Sequence, residues 1–252
     1  MGLLLLGGKK FSPRQISNLQ LWFDATKITS ADATKISSWS DLSGNGYDAA
    51  QATSGSQPTY NLNKQNGLPC VTFDGSTSFM SITSGLGITA NIAGATTFVA
   101  LKHNTTGAVN RVVFNISTAT GTTNRVNIAK NTSNKFSTVT RRTDTTGNIT
   151  NASTRTVVAN EFVIHNVINN YSGGTIFQYL DNTQDPSSSN NYAASGNTTN
   201  SNSGFMYIGC DNDTPTIDFF SGDIGEIIFY NKALSDAERT SVHLYLKRKW
   251  GI

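Results

Sequence analysis

The closing segment from Gly222 to Ile252 constrains the fold more than any other stretch of the chain. Ile224, Glu226, Ile227, Ile228, Phe229 and Tyr230 form a short run dominated by apolar and β-branched residues, the pattern of a strand covered on both faces. Asn231 and Lys232 break it. Ser235 and Glu238 then stand three apart, the spacing at which a hydroxyl and a carboxylate satisfy each other's orphan backbone N–H groups. Leu234 lies just before that cap, placed to staple the first turn. Ala237, Val242, Tyr245, Leu246 and Lys249 recur at helical spacing. Asp236 and Glu238 in the first turn, and Lys247, Arg248 and Lys249 in the last, suit the helix dipole, and Gly251 supplies the stop. A lone helix closing a strand-rich chain is expected to pack on the outside of a sheet.

Within 252 residues, charged side chains make up only 14%, against about 25% in ordinary soluble domains. Thr, Ser, Asn and Gly take their place, which favours strands joined by polar, uncharged turns. A net charge of +3 is too small to point to nucleic acid or an anionic membrane, and Lys9–Lys10, Arg141–Arg142 and Lys247–Lys249 read as solvated or helix-end charges. Cys70 and Cys210 read as buried free thiols, with a disulfide the alternative. The start, Met1-Gly-Leu-Leu-Leu-Leu-Gly-Gly-Lys-Lys10, lacks a basic leader and a small-residue cleavage site, and no run reaches the roughly 20 apolar residues of a membrane span. The expectation is a soluble, unprocessed chain whose Asn-x-Ser/Thr triplets at Asn104, Asn115, Asn148, Asn151 and Asn197 arise by composition.

Leu19, Leu21 and Phe23 alternate as in a half-buried strand. Ser43-Gly44-Asn45-Gly46 is turn chemistry. Residues 66 to 80 read as turn, strand, tight turn and strand. Further strands are expected at Thr96–Lys102, Arg111–Ile116, Arg125–Lys130, Lys135–Thr140, Phe162–Ile168, Thr175–Leu180 and Phe205–Gly209, and a long polar loop at Asp181–Ser203. Regular short strands with Gly/Asn/Ser/Thr separators point to a sandwich or barrel. One domain, residues 11–252, follows an N-terminal arm at 1–10.

Phe11-Ser-Pro13, Leu21-Trp22-Phe23-Asp24-Ala25, Trp39-Ser-Asp41-Leu-Ser43-Gly44-Asn45-Gly46, Gln57-Pro58-Thr59-Tyr60, Asn66-Gly67-Leu-Pro69, Phe73-Asp74-Gly75 and the Gly222-to-Trp250 block occur in an order that resembles laminin-G-like jelly rolls of the concanavalin A-like superfamily. The resemblance spans nearly the whole chain; residues 95 to 205 match only in strand rhythm. It implies an all-β, two-sheet antiparallel jelly-roll sandwich of six or seven strands per sheet, one sheet concave, with a C-terminal α-helix. Similar domains occur in phage tail, fibre and capsid-associated proteins and in bacterial surface proteins, some binding sugars, sometimes with calcium.

Catalysis is not expected. Glycoside hydrolysis needs two suitably spaced carboxylates, and the only glutamates are Glu161, Glu226 and Glu238. Asp223 and Glu226, three apart, are expected on opposite faces of a regular strand, and Glu238 belongs to the helix cap. His103, His165 and His243 read as packed or surface residues, with no nucleophile elbow. Asp211, Asp213 and Asp218 are candidate calcium ligands, as are Asp41, Asn45 and Asp48, although Asx residues in turns also cap their own backbones. No other cofactor is expected. Tyr171, Tyr192 and Tyr207 are the candidate aromatic platforms for a glycan. Trp22 and Trp39 are assigned to the core, and Trp250 to anchoring the helix.

These readings converge on a non-enzymatic virion structural protein, a capsid decoration, fibre or tail component. It would assemble as a homo-oligomer or with other virion proteins through Leu3, Leu4, Leu5 and Leu6, with host-glycan adhesion as an added role; the four leucines read equally well as folding back on their own domain. The alternative is a carbohydrate-binding module of a bacterial surface or extracellular protein; glycoside hydrolysis is a distant third.

Overall fold

The computed structural model describes residues 10–85, 87–118, 124–186, 191–199, 203–211 and 218–252. Leu3 to Leu6 of the expected arm lie outside them. In chain order the strands are β1 (Leu19–Asp24), β2 (Thr34–Lys35), β3 (Ser38–Trp39), β4 (Ala49–Ala50), β5 (Thr59–Gln65), β6 (Leu68–Asp74), β7 (Met80–Ile82), β8 (Ala95–His103), β9 (Arg111–Thr118), β10 (Asn124–Lys130), β11 (Lys135–Thr140) and β12 (Ile149–Thr156). They continue with β13 (Phe162–Asn170), β14 (Thr175–Leu180), β15 (Thr183–Gln184), β16 (Ser203–Ile208) and β17 (Ser221–Tyr230), and α1 (Asp236–Trp250) follows.

Two antiparallel sheets form a jelly-roll sandwich. A nine-stranded sheet runs β15-β14-β13-β8-β17-β6-β5-β2, with β1 also paired to β17; an eight-stranded sheet runs β12-β11-β10-β9-β16-β7-β4-β3. Both exceed the six or seven strands expected, because two-residue strands such as β2, β3, β4 and β15 extend the edges. Between the sheets, Phe23, Phe73, Val99, Leu101, Val163, Ile227 and Phe229 meet Phe114, Ile116, Val126, Ile128, Met206 and Ile208.

The outer face of the nine-stranded sheet carries a second core. Phe98, Ala100, Ile164, Ile228 and Tyr230 pack against Val242, Leu246 and Trp250 of α1, and Trp250 stacks on Phe162 with ring centres 5.5 Å apart. Every residue of β17 is therefore buried, as a run dominated by apolar and β-branched residues predicts. The Ser235 hydroxyl accepts from Glu238 N–H, and the Glu238 carboxylate accepts from Ser235 N–H. Gly251 ends the helix at φ 68°.

Two readings of the loops need correction. β12 is absent from the sequence expectation because Ile149-Thr-Asn-Ala-Ser-Thr-Arg-Thr156 holds a single large aliphatic; its place comes from pairing with β11. The segment following Asp181 is more than a solvated loop. Tyr192 and Thr198 are buried, and Thr198 Oγ1 both accepts from Ile92 N–H and donates to the Thr89 carbonyl. Cys70 and Cys210 are free and buried. Among the described residues no helix is long and apolar enough to cross a membrane.

Candidate functional site

The outer face of the eight-stranded sheet is polar where a strand's outward positions align. Asn127 on β10 pairs with Asn115 on β9, Asn115 with Tyr207 on β16, and Tyr207 with Ser81 on β7. Their neighbours Ile128, Phe114, Ile208 and Met80 point the other way, into the core, as a period of two requires. Ser117 lies two positions along β9 on the same outer face.

This row is buried: Asn115 and Ser117 are 0% exposed, Asn127 2% and Tyr207 8%. The Asn115 amide donates to Asp211 Oδ1 at 2.7 Å, which aims its carbonyl oxygen the other way. That oxygen, the Ser117 hydroxyl and the Asn127 side-chain carbonyl have no protein partner. Each unsatisfied buried polar group costs about 1–3 kcal/mol, so three on one face concentrate unmet acceptor capacity at this point of the sheet, beneath a covered surface. Phe79 stands edge-on to Tyr207 with ring centres 6.0 Å apart, adding apolar surface beside the row.

The three tyrosines expected to present a stacking face are thus placed differently. Tyr171 and Tyr192 are core residues with ring centres 5.2 Å apart. The Tyr171 hydroxyl donates to the Arg125 carbonyl at 2.9 Å; Tyr192 donates to Asn169 Oδ1 and pairs with Thr140 Oγ1. Burial pushes the Tyr171 hydroxyl up to about 12. Both fill the space between the sheets and offer no open ring. Tyr207 lies on the polar outer face, where its ring is nearly covered.

Of the candidate calcium ligands, Asp211 holds Asn115, and Asp213 falls outside the described residues. Asp218 adopts φ 57°; its carbonyl accepts from Val112 N–H and its carboxylate from Asn110 at 3.4 Å. Asp41 is a turn organiser whose oxygens accept from Trp22, Ser43 and Tyr47 N–H groups, and Asp48 accepts from Asp41 N–H. Among the described residues no group of three or more His, Cys, Asp or Glu side chains is gathered for a metal.

Asp223 and Glu226 are not on opposite faces. The register shifts between Ile224 and Glu226, so Asp223 pairs with Lys102 and Glu226 with Ala100. Those two lie two apart on β8, and the bulge at Gly225 thereby brings both acids to one face. Both are fully buried, Glu226 beneath α1 and Asp223 beneath the side chains of Lys64 and Lys102. Asp223 accepts from Thr72 and lies 3.3 and 3.2 Å from the ammonium groups of Lys64 and Lys102. Glu226 accepts from Trp22, Tyr245, Lys249 and Trp250. His103 and His165 sit between the sheets against Phe136, and burial drives each down to about 3. His243 is buried on the helix.

Asn127 falls in no motif, and Asn115 and Ser117 enter the sequence reading only as an Asn-x-Ser triplet ascribed to composition. The signal that reveals them is the alternation in Phe114-Asn-Ile116-Ser and Val126-Asn-Ile128, where small polar residues interrupt apolar strands with period two.

No curated protein sequence matches the chain at a significant level. Among solved structures, Trypanosoma rangeli sialidase in complex with sialic acid superposes with a TM-score of 0.57 at 14% identity, over 93% of this chain and 33% of the sialidase. Domain 4 of AbnA, a GH43 extracellular arabinanase from Geobacillus stearothermophilus, in complex with arabinotriose, gives 0.59 at 14% identity over 90% of this chain and 98% of that domain. The botulinum neurotoxin serotype D ligand binding domain in complex with N-acetylneuraminic acid gives 0.56 at 11%, over 90% and 50%. The chain thus spans about a third of the sialidases it resembles. Residues 74–238 match the laminin G 3 family, and with that match covering more than half of its length the chain belongs to the concanavalin A-like lectin/glucanases superfamily.

Proposed function

We propose that this chain is a non-enzymatic carbohydrate-recognition module displayed outside the cell, on a virion or a cell surface. The observation that carries the reading is the superfamily match over residues 74–238; the row Asn127–Asn115–Tyr207 with Ser117 is the polar face on which we place the contact, and a saccharide must displace what covers it to reach the three unpaired oxygens. Two of the similar solved structures, the arabinanase domain and the toxin ligand binding domain, are complexes with saccharides. A non-catalytic role is supported by the state of the acids. Glu238 caps the helix, Glu161 pairs with Arg155 at 2.8 Å, Glu226 is sealed beneath α1, and Asp223 is buried against Lys64 and Lys102.

Calorimetric titration with arabinotriose and with N-acetylneuraminic acid, followed by a broader glycan array, tests the proposal. Binding that falls at least tenfold in Asn115→Ala and Asn127→Ala is the expected result. Binding unchanged in both variants places the glycan elsewhere, and hydrolysis of a bound oligosaccharide overturns the non-catalytic role.

The finer reading is a phage structural component whose copies assemble through Leu3–Leu6. It draws support from the low charge, the polar loops, and a groove of about 510 Å³ lined by Lys10, Phe11, Leu244, Tyr245 and Arg248, where the arm joins the domain. Deleting residues 1–10 should abolish oligomerisation and leave glycan binding intact. Unchanged oligomeric mass on sedimentation removes the assembly role.

A further inference from the structure

Three charged side chains meet beneath the last turn of α1. Asp24, at the end of β1, is the direct cross-strand partner of Glu226 on β17. Lys249 Nζ reaches both, 2.6 Å from Asp24 Oδ2 and 2.7 Å from Glu226 Oε2. Asp24 is 2% exposed and Glu226 0%. The walls are aromatic: Trp22, Tyr245 and Trp250 each donate to Glu226. The other oxygen of Asp24, Oδ1, accepts from the Thr26 backbone N–H at 2.9 Å and the Thr26 hydroxyl at 2.7 Å.

Two carboxylates and one ammonium leave a buried excess of negative charge, which an ion pair alone does not relieve. The arrangement instead has the parts of an acyl-transfer site. An amine nucleophile lies against a carboxyl group, a second carboxylate touches the amine, and two donors hold the oxygen on which charge would develop. We propose that Lys249 and Asp24 are joined by an intramolecular amide bond that the fold forms on its own, with Glu226 as proton carrier.

The step balances without a co-reactant. The Lys249 ammonium passes a proton through Glu226 to Asp24 Oδ2, and the freed lone pair adds to the carbon of the now neutral carboxyl while Oδ1 takes the charge facing Thr26. Collapse of the adduct breaks the carbon–Oδ2 bond. Oδ2 leaves as water, carrying the proton relayed by Glu226 and a second one from the nitrogen. One ammonium and one carboxylate thus become one amide and one water, and Glu226 ends ionised as it began. Burial pushes the Glu226 carboxyl upward; Lys249 opposes that shift and Asp24 adds to it. A raised carboxyl is the better acceptor for a lysine proton. The groove lined by Tyr245 and Lys249 gives the water a way out.

The test is the intact mass of the full chain, folded, aged and then denatured. It should fall short of the sequence mass by one water, and digestion should yield a branched peptide joining Asp24 to Lys249. Lys249→Arg should restore the full mass, Glu226→Gln should slow linkage by about 10²–10⁴, and Asp24→Asn should link with loss of ammonia instead. A full-mass wild-type chain overturns the proposal, as does a water deficit that persists in Lys249→Arg or maps to another residue pair. The wild-type mass decides the matter even where a variant fails to fold. It is also independent of glycan binding, so each proposal can fail alone.

Discussion

Asp24 and Glu226 face one another directly across the β1–β17 pair, and Lys249 from α1 touches both carboxylates. Like charges opposed across a sheet are destabilising, so the first strand, the last strand and the closing helix depend on one another at this point. Truncating Glu226 strips partners from Lys249, two indole N–H groups and a tyrosine hydroxyl. Glu226→Ala should therefore lose about 3–5 kcal/mol of unfolding free energy. Urea denaturation followed by tryptophan fluorescence checks this; a loss under about 1 kcal/mol, the range of exposed pairs, would deny the network a structural role.

Asn127→Ala should separate function from stability. It removes an oxygen that has no protein partner, so folding should be unharmed or improved by up to about 1 kcal/mol, while glycan affinity falls. A parallel drop in thermal midpoint and affinity would assign Asn127 to scaffolding.

Stability should fall in mild acid. The unfolded-state histidine value is about 6.5, and burial holds folded His103 and His165 at about 3. Below pH 6.5 the unfolded chain binds more protons, so their contribution is complete above that pH and is lost as pH drops toward the folded value. Lys130 and Arg111 reinforce the shift at His103, and Asp185 opposes it at His165. The slope between about pH 6 and 4 should approach 2–3 kcal/mol per pH unit for the two together. Urea midpoints measured across that range check it, and a double replacement by Phe and Leu should flatten the curve.

Gly225→Ala probes the bulge. An added Cβ would lie 2.6 Å from the Trp250 ring, displacing an indole that donates to Glu226. A loss of about 1–3 kcal/mol is expected, with a change in near-UV circular dichroism. A silent substitution would mean that α1 shifts freely on the sheet.

What could be read from the sequence was what local chemistry controls. Ser235 and Glu238 announce the helix start, Gly251 its end, and the Ile224–Tyr230 run a strand covered twice. The misses share a cause. Residue spacing places Asp223 and Glu226 on opposite faces only if the strand is regular, and one extra residue at Gly225 cancels that rule. Tyr171 and Tyr192 look like ordinary loop-edge aromatics until the second sheet arrives to bury them. β12 has almost no apolar signal because its place is set by hydrogen bonds to β11. Lys249 fits a helix-dipole role equally well in sequence; only the fold brings Asp24, 225 positions away in numbering, against its ammonium.

β17 lies between β8 and β6 and also pairs with β1. The penultimate element of the chain is therefore the centre of its larger sheet. During synthesis, β8 and β6 have no common neighbour until residues 221–230 emerge, so their pairing edges wait while residues 104–220 are made. Such long-range pairing folds slowly and exposes strand edges meanwhile, which makes the nascent form, rather than the finished one, the stage most vulnerable to aggregation.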